Sequence, residues 1–426
     1  MDIAIIGTGV SGLVAAHLLA PDHRLTIFEA DDRIGGHTHT VDVELGGRTW
    51  AVDTGFIVYN DWTYPNFIRL LDELGVESQP TEMSFSVRCP KTGLEYNGHS
   101  LDTLFAQRRN LLRPSFYRMI REILRFNREA KALVAKGGIP ATVGDLIARQ
   151  GYGRELVDHY LVPMGSAIWS SSAKTMAEFP APLFLRFLEN HGLLNVWNRP
   201  QWRVIRGGSK RYVEKLVAPF RDRIRTGCPV RRVERRPDGV DLVLDGGHRR
   251  SFDQVIFATH SDQALALLAD ADDTEREVLG AFAYQPNEAV LHTDTSVLPR
   301  RRKAWAAWNY RLGEDPGAPV AVTYDMNILQ GLDAPETFCV TLNRDDGIDP
   351  ERILKRIAYA HPVYTSAAEA AQRRHGEVNG RRRTYFCGAY WGNGFHEDGV
   401  VSALAVVRAL DHGLERAPQL LEAVVA

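Results

Sequence analysis

Cysteine is scarce in this chain: four residues in 426, Cys89, Cys228, Cys339 and Cys387, lie far apart and form no CxxC pair. That spacing excludes a disulfide framework and a structural zinc site, and it fits a reducing cytosol. An excess of charge of either sign is also missing. With 51 Lys and Arg against 53 Asp and Glu the formal net charge is -2, so no global field favours nucleic acid. No apolar run reaches the ~18 residues that span a bilayer, and no internal repeat or low-complexity linker interrupts the chain. The opening "MDIAIIGTGVSGLVAAHLLA" is apolar enough to suggest a signal peptide, but it lacks a basic n-region and carries glycines at fixed spacing. The remaining composition, 44% hydrophobic and 24% charged, describes a globular protein whose length calls for two or three domains. The expected location is cytoplasmic.

Those spaced glycines open the positive reading. "DIAIIG" reads as a short buried strand and "VSGLVAAHLLA" as a helix starting directly after a glycine turn. Gly7, Gly9 and Gly12 form GxGxxG: the first glycine makes the tight turn, the second lets backbone approach a pyrophosphate, and the third lets helix pack on strand. The helix N-terminus at Val10 and Ser11 then offers free N–H groups and a favourable dipole to the phosphates. A second strand, "RLTIFEA", ends at Glu29 and Ala30, where a carboxylate can accept from both ribose hydroxyls. The unit is a dinucleotide-binding one.

The next stretch, "DDRIGGHTHT", resembles the FAD-binding amine oxidase and phytoene desaturase superfamily, whose signature here is a basic residue followed by two glycines. Arg33, Gly35 and Gly36 match it, and the resemblance implies that they wrap the flavin side of the pyrophosphate. Amine oxidases usually carry a second arginine after the glycines; this chain has His37. His37 and His39 alternate like a metal pair, but no Cys or acid completes a ligand set, and no metal is expected. "WAVDTGFIVYN" parallels the superfamily's Asp-x-Gly strand through Asp53 and Gly55, which brings Phe56, Tyr59 and Asn60 towards the flavin.

From residue 61 the character changes. "MSFSVRCPKTGLEYNG" reads as a hairpin. The helix in "LLRPSFYRMIREILRFNREAKALVAKGG" sets Phe116, Met119, Ile120, Ile123, Leu124, Ala130 and Leu133 on one face, with its arginines largely elsewhere. That basic face is either solvated or in contact with an anionic membrane surface. "VPMGSAIWSSS" reads as a loop in which Met164 and Trp169 fit core packing as readily as ligand contact. Cofactor signals resume at "WRVIRGGSKRYVEKL", where Gly207 and Gly208 precede a helix. In "IRTGCPVRRVERRPDGVDLVL" two strands meet at a turn, and the resemblance sets Val230 against the adenine. "FDQVIFATHSDQAL" is a buried strand running through Thr259 into a helix. "EAVLHTD", "KAWAAWNYR", "PVAVTYDMN" and "TFCVTLN" then suggest one antiparallel sheet.

The expected fold is α/β, amine-oxidase-like: a discontinuous Rossmann-like FAD-binding domain with an α+β substrate domain built from a mixed antiparallel sheet plus helices. Residues 1–60, 203–270 and 381–426 form the FAD-binding parts, and 61–202 and 271–380 the substrate parts. The last cofactor segment, "YFCGAYWGNGFHEDG", precedes the helix "VVSALAVVRAL" and resembles the superfamily's closing motif, in which a loop passes beneath the isoalloxazine and a helix begins at its N1 and C2 carbonyl side. The resemblance assigns Gly388, Phe395, His396, Glu397 and Asp398 to the cofactor, lets Gly392 and Gly394 approach the ring, and makes Tyr390, Trp391 and Phe395 its walls. Asp398 stands where the amine oxidases commonly have glycine; it either caps the helix or touches ribityl oxygens. His396 either transfers a proton or holds the loop.

Several phrases, among them "HTDTSVLPRRRKAWAAWNYR" and "TYDMNILQ", resemble a bacterial branch of flavoproteins associated with cyclopropane-type lipid methyltransferases. This implies an FAD-dependent desaturase of methylated fatty acyl chains, as in furan fatty acid formation, with Tyr59, Trp391 and His396 as the catalytic candidates. A flavin amine oxidase, a non-redox flavin-dependent isomerase or a non-catalytic escort protein are the alternatives. A lipid or acyl substrate and peripheral contact with the inner membrane are the expected partners, with no nucleic acid; a homodimer is among the assembly states left open.

Overall fold

The structure, a computed structural model, describes residues 1–169, 173–313, 321–343 and 347–410. A five-stranded parallel sheet runs in the order Ile224–Arg225, Arg24–Phe28, Asp2–Ile6, Gln254–Phe257, Thr384–Phe386. Its strands carry apolar residues on both faces, with the charged ones, Asp2, Arg24 and Arg225, at strand ends, because both faces are covered and alternation would bury polar groups. Ile3 and Ile5 enter one core with Leu13, Leu19 and Leu404, from the helices Val10–Leu19 and His396–Leu410. Ala4 and Ile6 enter another with Val233, Leu242, Phe257 and Leu279. An antiparallel meander, Val230–Arg235, Val240–Leu244 and Arg249–Phe252, covers that second face. Neighbours in the parallel sheet come from remote sequence: Ile5 lies beside Ile256, and Phe257 beside Phe386.

A second sheet has seven strands, in the order Ile353–Val363, Ala283–His292, Cys339–Leu342, Ala321–Asp325, Trp308–Arg311, Phe85–Cys89, Leu94–Asn97. The four expected strands are all in it, although the first two residues of "PVAVTYDMN" lie outside the described residues. The sheet is not wholly antiparallel, since Trp308–Arg311 pairs parallel with Phe85–Cys89. That hairpin arrives from far earlier in the chain, and no tight turn forces the antiparallel sense. The strand Ile353–Val363 was not expected. It contains Pro362 and is half exposed along most of its length, as an edge strand permits.

The helix Pro114–Lys136 buries Phe116, Met119, Phe126 and Ala130, while Leu124 is 52% exposed and falls outside the expected apolar face. Its basic side is partly paired internally: Arg118 Nη2 meets Glu155 Oε1 at 2.6 Å and Arg125 Nε meets Glu129 Oε1 at 2.8 Å. The loop expected at "VPMGSAIWSSS" is instead helical over Val162–Trp169, with residues 170–172 outside the described residues. Gly165 breaks the helical pattern in sequence but serves packing here. A Cβ at that position would stand 2.4 Å from Met176 Cε. Among the described residues no helix is long and apolar enough to cross a membrane.

Candidate active site

A cavity of about 790 Å3, large enough for a dinucleotide, is lined by the carboxyl ends of the parallel strands, at Ile6, Phe28 and Ala258, and by side chains of the second sheet such as Trp308, Tyr324 and Tyr359. Its first end is built by the strand–glycine–helix unit, and the three glycines divide the work. Gly7 is left-handed (φ +105°), and a Cβ there would lie 2.6 Å from the Ala258 carbonyl oxygen; a Cβ at Gly12 would lie 2.2 Å from the Gly7 carbonyl oxygen. Both keep strand and helix together, and Gly12 is off the cavity wall. Gly9 borders the cavity, and a Cβ there would meet no protein atom within 4 Å. No side chain caps the helix that follows, and no acid sits in its first turn. The free N–H groups at Val10 and Ser11 are therefore left to an anion in the cavity. Glu29 is held beside them: Oε2 accepts from the Thr8 N–H at 2.9 Å and from the Thr8 hydroxyl, and Oε1 accepts from the Asp31 N–H at 3.0 Å. Ala30, Val230 and Thr259 complete this end.

Arg33 does not reach the wall. Its guanidinium donates to the carbonyls of Thr38 at 2.7 Å and Gly36 at 2.6 Å, clasping its own loop. The cation shapes the backbone that presents Gly35, Gly36 and His37 to the cavity rather than facing the cavity itself. Gly55 and Phe56 border the same region.

His396 sits at a junction of remote segments. Its Nε2 lies 3.0 Å from Thr38 Oγ1 and 3.0 Å from Tyr212 Oη, and its ring stacks on Phe56 with centroids 3.5 Å apart. Burial drives the imidazole well below its ordinary pKa, so it is neutral. Of the two roles open to it, this geometry is that of holding the loop. Gly388, Tyr390, Gly394 and Phe395 border the cavity with it. Glu397 and Asp398 do not. Glu397 caps the neighbouring helix Pro65–Glu73, accepting from the N–H groups of Asn66 at 3.0 Å and Phe67 at 2.9 Å and from Asn66 Nδ2 at 2.7 Å. Asp398 accepts from the Phe395 N–H at 2.8 Å and packs against Gly392, which is likewise off the wall. Both carboxyls are pushed upwards by burial, Asp398 to about 6.

Two further catalytic candidates lie elsewhere. Tyr59 is core, with its ring against Tyr64 and Phe67. Trp391 packs edge-on to His375 and Phe282. Asn60 turns its Oδ1 back to the N–H groups of Trp62 and Thr63, both at 2.9 Å.

The far wall comes mostly from residues that local sequence did not single out. Tyr64, Trp308, Tyr324, Tyr359, His361 and Tyr364 face the cavity with Trp169. Trp308 and Tyr324 are directly opposed on adjacent strands, with centroids 5.0 Å apart; the alternation in "WNYR" and "VTYD" was the available signal. His37 lies between Tyr359 at 5.0 Å, His361 at 5.5 Å and His260 at 5.9 Å. Burial drives His37 down to about 3 and His361 to about 4. His37 Nε2, Trp308 Nε1 and Tyr364 Oη are buried on this wall without a protein partner. Such orphaned groups suit a large ligand that carries polar atoms along its length. Among the described residues no group of three His, Cys, Asp or Glu side chains is placed to hold a metal ion.

Residues 10–317 match the model of the flavin containing amine oxidoreductases. The chain belongs to that family. FAD is accordingly its cofactor, and the cavity fits it: a glycine-lined helix N-terminus for the diphosphate, an anchored carboxylate for the ribose, and a long aromatic chamber beyond. The flavin-containing amine oxidase A of Sus scrofa is 25% identical over 348 residues, 76% of this chain and 62% of that protein. The chain thus spans less than two thirds of that relative's length. Cyclohexylamine oxidase from Brevibacterium oxydans shares the fold with a TM-score of 0.68 and 16% identity, over 96% of this chain and 99% of that one. A CLA-producing fatty acid isomerase from P. acnes does so with a TM-score of 0.66 and 18% identity, over 95% and 98%. The amine-oxidase-like architecture expected from sequence is the one observed.

Proposed function

We propose that this flavoprotein is an oxidoreductase that removes hydride from a lipid acyl chain, desaturating a methylated fatty acyl group of the kind met in furan fatty acid formation. One observation carries the choice of substrate class. Glu29, Asp31 and Arg231 are the only Asp, Glu, Lys or Arg side chains on the cavity wall among the described residues, and all three belong to the nucleotide end. The far chamber is lined by aromatic rings, aliphatic side chains and neutral imidazoles, with Thr54 and Asn393 as uncharged polar groups. A diamine would enter without a carboxylate to pair with, and a free fatty acid without a cation. A neutral hydrocarbon has no charge to strand there and gains burial, while polar atoms of the bound cofactor or of the acyl ester are available to the orphaned Trp308 Nε1 and Tyr364 Oη.

When bound, FAD supplies the two-electron acceptor for the hydride, with dioxygen or a carrier as final oxidant. The chain's own part is to position the reacting carbon and to exclude water, which Tyr64, Trp308, Tyr324 and Tyr364 do as walls. The second hydrogen leaves as a proton. It leaves to water or to a base at the wall; His37, although its Nε2 is unpartnered there, is held down to about 3 by burial and is too weakly basic for that part.

The test is anaerobic bleaching of the visible flavin absorbance by purified holoenzyme against a panel of acyl lipids and amines. Methylated acyl lipids should bleach it. Bleaching by polyamines or aromatic amines alone would replace this reading with amine oxidation, and double-bond migration without net flavin reduction would replace it with isomerisation.

A further inference from the structure

Among the described residues eleven large hydrophobic side chains are exposed, and five of them, Leu101, Leu111, Leu112, Tyr117 and Leu124, fall between residues 101 and 124. Leu101 and Leu112 are 79% and 87% exposed, which for leucine forgoes most of the gain from folding. The segments that carry them are tied to one another. Arg108 Nη2 reaches Asp102 Oδ1 at 3.0 Å, beside Leu101. Tyr117 donates its hydroxyl to the Leu111 carbonyl at 3.0 Å, and its ring lies 6.0 Å from Phe105. Tyr117, Arg121 and Leu124 follow at i, i+4 and i+7 on one helix face.

The turn that presents these leucines, Arg108–Leu112, is firmly built. Asn110 is fully buried within it, Gln107 Oε1 accepts from the Glu95 N–H at 3.1 Å, and Arg113 donates to the Thr92 carbonyl at 3.3 Å. Its net charge is positive. Residues 101–124 hold five arginines against Asp102 and Glu122. Asp102 is shared by Arg108 and Lys303, and Glu122 faces the Gly153 N–H at 3.1 Å. Arg109 and Arg113 donate to carbonyls, which leaves their charge uncompensated, and Arg121 is exposed.

We infer that this surface docks on an anionic lipid bilayer, with the leucines entering the acyl boundary and the arginines meeting head groups. Apolar burial combined with basic attraction is the physics of an interfacial anchor. A second copy of the chain fits less well, because a two-fold contact through this patch would set arginines against arginines. The inference stands whichever substrate the cavity takes. If the substrate is an acyl lipid, docking brings the chain to its source.

The experiment is co-sedimentation of the flavin-loaded full chain with vesicles of phosphatidylcholine alone or mixed with phosphatidylglycerol. Binding is expected only to the mixed vesicles and should fall with added salt. Leu112→Ser and Arg121→Glu should each lower the partition coefficient about tenfold, with flavin content and melting temperature unchanged. Absence of binding, equal binding to neutral vesicles, or variants that bind like the parent would overturn it. So would a dimer on size exclusion that Leu112→Ser converts to monomer. Because the salt dependence uses the parent protein, a variant that failed to fold would still leave a decisive measurement.

Discussion

Gly9 and Gly12 stand three residues apart, yet their substitution should fail in different ways. A methyl group on Gly12 would lie 2.2 Å from a backbone carbonyl, whereas one on Gly9 meets no protein atom. Gly12→Ala should therefore destabilise even the apoprotein, by about 3 kcal/mol. Gly9→Ala should leave apoprotein stability within about 1 kcal/mol and lower FAD affinity at least about tenfold, because its methyl occupies diphosphate space. Melting curves of the two apoproteins, set beside flavin titration, separate the cases. His396 offers a second residue-level contrast. Its two hydrogen bonds and its stack on Phe56 make it a positioning residue. His396→Ala should cost about 2–4 kcal/mol, while the pH profile of kcat keeps its shape. Loss of an ionisation from that profile would instead identify His396 as the proton acceptor.

At the scale of elements, the meander and the helix Asp273–Gly280 are joined by a buried ion pair. The Arg235 and Glu275 side chains are each 1% exposed, with Nη2 and Oε2 2.8 Å apart, and Arg235 Nε also reaches Asp270 Oδ1 at 2.9 Å. Glu275 in addition accepts from the Asp272 N–H at 2.9 Å, completing that helix's capping box. Glu275→Ala strands a buried guanidinium and should cost about 3–5 kcal/mol, to be read from chemical denaturation. The caps also bear on the choice the sequence leaves open for Asp398 and Glu397, between capping and cofactor contact. Carboxylates in the first turn of the last helix look from sequence like cofactor ligands, because a helix N-terminus beneath a flavin is where an acid attracts notice. In the fold, Glu397 serves the next helix along and Asp398 its own loop. Neither partner is visible from residues 385–410 alone.

Across the whole molecule, buried titratable groups set an acid limit. His37 is driven down to about 3, and His191, His292 and His361 to about 4, all by burial. The unfolded chain binds protons at these sites from about pH 6.5 downwards, so their contribution to stability is lost as pH falls towards 4. Asp53, Asp325 and Asp398, each pushed up to about 6 by burial, act in the opposite sense: their contribution is present at low pH and lost as pH rises through 6. The histidines are more numerous and more deeply shifted. The net expectation is a loss of a few kcal/mol between pH 6.5 and 4, measurable as a falling melting temperature of the apoprotein. A flat or rising profile over that window would contradict it. Asp53 also shows how remote parts are welded: it accepts from the Ser209 N–H and hydroxyl, the Thr40 hydroxyl and Gln330 Nε2. The sequence by itself determined the nucleotide end, because a strand, a glycine turn and a helix N-terminus are local structures whose chemistry is written in adjacent residues. It also determined most of the strands, whose apolar runs have nowhere to lie except inside a sheet. Only the tertiary structure decided the far chamber and the exposed leucine surface. Trp308 and Tyr359 become one wall through strand register across the second sheet, with Tyr364 joining directly after its edge strand, and which side chains remain outside is settled only when every element has chosen its partner.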